Sequence, residues 1–113
     1  MASKTTSLPP VRLQLTEASL CGWLGQAAPG DTLTYHRGSL PHDRTPQTSR
    51  LSDSDRAELG RITSRTVWAF EQGLVHLLQR RHGDEDYSYY LIARPRSSKV
   101  AASLTTLLVA EAA

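Results

Sequence analysis

The chain has a single cysteine, a single methionine, a single phenylalanine and only two lysines in 113 residues. One cysteine, Cys21, cannot build an internal disulfide framework, so nothing in the sequence asks for an oxidising compartment. Long apolar runs are also missing, and none approaches the ~20 residues that span a bilayer. The first ten residues, Met1 to Pro10, lack the charged-then-apolar pattern of a secretory signal. A cytoplasmic protein with no membrane partner is the expectation.

Chemical motifs are equally scarce. His36, His42, His76 and His82 do not stand in the CxxC, HxxxH or HExxH spacings that gather ligands on one metal. Cys21 lies beside Leu20 and Leu24, where a small buried hydrophobe is the ordinary role. The phosphate-cradling GxGxxG and GxxxxGK[ST] patterns and the GxSxG nucleophile elbow are absent. Asp and Glu occur mostly as helix caps and loop charges, which leaves no convergent set for acid–base or nucleophilic work. Neither a catalytic activity nor a cofactor is expected.

What is present is one domain's worth of chain. Hydrophobic residues make up 39% and mean hydropathy is −0.38, so the sequence can bury a core as a soluble globular protein. The net charge of +2 is too small to prove an anionic partner. Its make-up says more, because eleven of the thirteen basic residues are arginine, the better residue for bidentate phosphate and base-edge contacts.

Residues 1–15 are rich in Ser, Thr and Pro, lack apolar periodicity and read as a mobile arm. Thr16 is placed to cap a helix, with Glu17 at its positive end and Leu20, Trp23, Leu24 and Ala27 on one stripe, stopped by Pro29-Gly30. Thr32 to Arg37 (TLTYHR) reads as a short strand. Between Ser39 and Arg50, Pro41 and Pro46 allow at most one or two helical turns. Ser52 with Asp55 opens a long helix running to Gln72 and stopped by Gly73, although Gly60 leaves a break into two helices open. On its wheel Leu59, Ile62, Thr66, Ala69 and Phe70 share the core side, while Arg61, Ser64, Arg65, Trp68 and Gln72 lie opposite. Leu74 to Arg81 and Tyr87 to Arg94 are strand-like runs joined by the five-residue polar loop 82–86, which makes a hairpin. Residues 97–113 read as an amphipathic helix with Val100, Ala101, Leu104, Leu107 and Leu108 on one face.

The helix end AFEQG, followed by LVHLLQRR, a polar loop and YSYYLIARP, resembles the recognition helix and wing of bacterial winged-helix regulators. The resemblance covers about Thr16 to Pro95. It implies an α+β winged helix-turn-helix over residues 16–96 with a short three-stranded sheet, to which residues 97–113 add a C-terminal helix. It also implies a transcriptional regulator that lays its long helix in the major groove of duplex DNA. Arg61, Ser64, Arg65 and Trp68 would then form the reading face. The alternatives are that Arg61 pairs with Glu58 on a solvated face, and that Trp68 packs under the hairpin or the last helix.

Two further groups extend that surface. Tyr35, His36, Arg37, His42, Arg44 and Arg50 could make positioning contacts to phosphate, or form a polar loop. Arg80 and Arg81 could flank the duplex, or neutralise Asp84, Glu85 and Asp86 at a hairpin tip that phosphate would repel. Val100, Leu104, Leu107 and Leu108 would pair two copies into a homodimer, or close the core of one. The rival reading is a protein-interaction module on the same fold, for example a phage or mobile-element factor acting on host machinery, with Trp68 or the acidic tip as its contact.

Overall fold

The computed structural model describes residues 13–96, so most of the N-terminal arm and the whole of residues 97–113, with Val100, Leu104, Leu107 and Leu108, lie outside the described residues. Within that span the protein is mixed α+β, with three helices and one three-stranded antiparallel sheet. In chain order the elements are α1 (Glu17–Gln26), β1 (Thr32–Gly38), α2 (Leu40–Arg44), α3 (Asp53–Glu71), β2 (Val75–Gly83) and β3 (Asp86–Ala93).

Local chemistry sets most boundaries. The Thr16 hydroxyl accepts the Ser19 N–H at 3.0 Å and starts α1, and the Ser52 hydroxyl accepts the Asp55 N–H at 3.1 Å and starts α3. Gly73, at φ +75°, supplies the left-handed residue that turns the chain from α3 into β2. Helix α3 runs through Gly60 without a break. The ~1 kcal/mol that glycine costs there is outweighed by Leu59 and Ile62, whose burial contributes about 1.5–3 kcal/mol each.

The sheet order is β1-β3-β2. Tyr87, Tyr89, Leu91 and Ala93 alternate along the inner face of the central strand β3, opposite Leu77 and Val75 of β2 and Leu33 of β1. Leu20 and Leu24 of α1 and Ile62 and Ala69 of α3 close over them to complete the core. Three expectations are corrected. Leu13 and Leu15 belong to the packed domain, since both lie against this core and the Leu13 N–H donates to Asp55. Phe70 lies 49% exposed, although its neighbour Ala69 is fully buried in the core. The hairpin link is two residues rather than five, since β2 extends to Gly83 and β3 begins at Asp86, with Glu85 at φ +54° in the turn.

One irregularity shapes the corner between β1 and α2. The β1–β3 register shifts between Thr34 and His36, a bulge that inserts an extra residue into β1. Strict alternation would send Tyr35 and His36 to opposite faces; the bulge buries both.

Candidate nucleic-acid interface

Helix α3 turns Ala57, Gly60, Arg61 and Ser64 away from the core, and these residues floor a groove of about 520 Å³. Glu17 from the start of α1, Arg44 from the end of α2, and Arg65 and Trp68 complete its walls. Three arginines therefore converge on one concavity, where glycine, alanine and serine leave the helix backbone approachable.

The three arginines are held differently. Arg61 donates from Nε and Nη2 to Glu58 Oε1 at 2.9 and 2.5 Å, yet its side chain remains 54% exposed. Arg65 does not share that outward position. Its side chain is only 10% exposed, its guanidinium stacks 4.9 Å from the centre of the Trp68 ring, and it reaches Glu17 at 3.5 Å. Trp68 itself is half-buried against the core, so it is a wall of the groove and not a protruding aromatic. Arg44 and Ser64 are exposed.

Glu58 links the groove to α1. Its Oε2 accepts the backbone N–H of Glu17 at 2.6 Å, one of the donors that the first turn of a helix leaves unpaired. That backbone bond first, and the Arg61 guanidinium second, hold the Glu58 carboxyl below its ordinary range.

The second basic group folds into a corner instead of a surface. His36 Nε2 lies 2.8 Å from Asp43 Oδ2, and Arg50 donates to the same carboxylate from Nη2 at 2.8 Å and from Nε at 3.2 Å. Asp43 is 1% exposed and His36 is 7% exposed, so His36 has no face to offer a ligand. Burial pushes the His36 imidazole below its ordinary value, against the opposing pull of Asp43. Burial alone would raise the Asp43 carboxyl, but the bonds from Arg50 and His36 together carry it downward. Gly38, at φ +125°, lets β1 pass this corner, where a Cβ would collide with the Arg50 guanidinium.

The acidic hairpin tip is folded onto the same corner. Asp86 accepts a two-pronged bond from Arg37 at 2.7 and 2.9 Å, Glu85 meets His42 Nδ1 at 2.9 Å, and Asp84 takes Arg81 at 2.7 Å. Each acid thus sits on a base that sequence reasoning had offered to DNA. Ser39 Oγ lies 2.7 Å from the same His42 Nδ1. Serine and glutamate therefore share one ring nitrogen, whereas a nucleophilic relay needs them on opposite ones. Among the described residues no group of three or more His, Cys, Asp and Glu side chains could hold a metal ion, and no helix is long and apolar enough to cross a membrane.

Set against models of protein families, curated proteins and solved structures, the chain matches none. Of the twelve side chains offered to DNA, the fold brings Arg44, Arg61, Ser64, Arg65 and Trp68 to one groove. It buries Tyr35 and His36, ties Arg37, His42, Arg50 and Arg81 to acids, and leaves Arg80 exposed on β2, apart from the groove. Sequence reasoning did not find Glu17 as a member. The capping position of Glu17 was visible, but its approach to α3 exists only once α1 packs there.

Proposed function

We propose that this protein is a winged-helix regulator that binds duplex DNA, with α3 entering the major groove and the β2–β3 hairpin as its wing. The element order α1, β1, α2, α3, β2, β3 and the sheet order β1-β3-β2 support the fold reading. The observation that carries the function is the groove itself, where Arg61 and Ser64 on the outward face of α3 stand beside Arg44 from α2. Arginine forks suit guanine edges and phosphates, and the small residues around them let a duplex approach the helix closely. Arg80 is the remaining flanking cation. The acidic tip is held to α2 and β1, which keeps its charge off the phosphates. Two-fold paired sites would match a homodimer through Val100, Leu104, Leu107 and Leu108.

The test is a fluorescence anisotropy titration with mixed-sequence duplex at increasing salt. Binding that weakens steeply with salt is expected, since each neutralised phosphate releases counterions. No binding at low salt overturns the reading.

A second reading has its own observation. Val67 and Phe70, 45% and 49% exposed, form an apolar flank on α3 that a protein partner could cover. Capture of a partner by the wild type but not by a Val67→Ser, Phe70→Ser variant, with no DNA binding by either, would favour the interaction module.

A further inference from the structure

We infer that Glu58 is a positioning residue which presents Arg61 to a guanine base edge, so that Arg61 reads sequence instead of clamping phosphate. This rests on the DNA-binding proposal and adds what the groove selects.

A guanidinium carries five N–H donors. Glu58 takes two of them on one side, Nε and one from Nη2. Three remain, two on Nη1 and one on Nη2, and they include the end-on fork that matches guanine O6 and N7. Glu58 cannot swing away easily, because its other oxygen is bound to the Glu17 N–H of α1. The arginine is thus braced from two helices while more than half of its side chain stays in solvent. A long side chain already fixed in its binding geometry loses less freedom on binding.

Charge decides which ligand benefits. The Glu58 carboxylate largely neutralises Arg61 locally and repels a phosphate brought to the same place, whereas guanine offers two neutral acceptors. Arg44 stands exposed at the groove wall and suits phosphate. Arg65 is occupied by Trp68 and Glu17.

The experiment first selects duplexes from a randomised pool with the full-length protein, then measures affinities for the selected site and for variants with each G·C pair replaced. Wild type should lose about tenfold or more at one G·C pair. In Glu58→Gln that preference should collapse to under about threefold, while binding to mixed-sequence duplex stays equal or tightens because a negative charge has gone. Arg61→Lys, which keeps the charge and loses the fork, should also lose the preference and keep the salt dependence. An unchanged G preference in Glu58→Gln overturns the inference and leaves the DNA reading standing. If Glu58→Gln does not fold, Arg61→Lys decides: retained preference overturns the inference. No duplex binding by wild type overturns both.

Discussion

Among the arginines that lie on carboxylates, Arg50 on Asp43 and Arg61 on Glu58 do different work. At the corner of β1, α2 and the approach to α3, Asp43 is almost wholly enclosed; its Oδ2 takes both His36 and Arg50 Nη2, and its Oδ1 takes Arg50 Nε. In the groove, Glu58 leaves the Arg61 side chain in solvent. Buried ions must satisfy one another, because desolvation costs several kcal/mol per ion. Exposed ions keep donors to spare. The same residue types therefore give architecture in one place and a candidate reading surface in the other.

The sharpest way to break this contrast is at Asp43. Asp43→Ala should remove on the order of 3 kcal/mol of stability in urea unfolding, because His36 and Arg50 are left without their shared partner. A loss as small as that of a surface pair would mean the corner is not structural. Next in size, Arg61→Ala should cost about 1–3 kcal/mol in binding to a selected duplex while stability moves by less than about 1 kcal/mol. Equal losses in both measurements would erase the distinction between the two regions.

Acid titration gives a smaller effect. The folded His36 prefers its neutral form, so the unfolded chain binds more protons once pH falls to the ordinary histidine value of about 6.5. Stability should decline as pH drops through that value, and His36→Gln should flatten the decline; a slope unchanged in the variant would place its origin elsewhere. Least of all, Arg37→Ala should leave the melting temperature where it was. Its bond to Asp86 is short but lies in solvent, where screening and side-chain entropy cancel most of the gain.

Much of the architecture was legible because it is local. Thr16 and Ser52 announce their helices by capping chemistry, Gly73 announces a stop, and two strand-like runs around a polar loop announce a hairpin. Phe70 misled because a helical wheel gives only the direction of a side chain and not what stands opposite it, and Phe70 is exposed where Ala69 is buried. The five polar residues 82–86 suggested a long loop, but Gly83 and Asp86 pair across it. His36 offered no signal of burial, since period-two alternation from Tyr35 would have turned it outward.

By itself the sequence determined α1, β1, α3 and the two hairpin strands in order, the caps that start α1 and α3, and that arginine would supply nearly all the positive charge. Periodicity and capping act within a few residues, so they survive without a fold. Only the tertiary structure decided which arginines were spent. The bulge in β1 turns His36 inward onto Asp43, the hairpin tip returns to Arg37 and His42, and α1 brings Glu17 to Glu58 and Arg65. Such pairings join residues seven to forty-nine positions apart, and they exist only when the sheet and helices have packed.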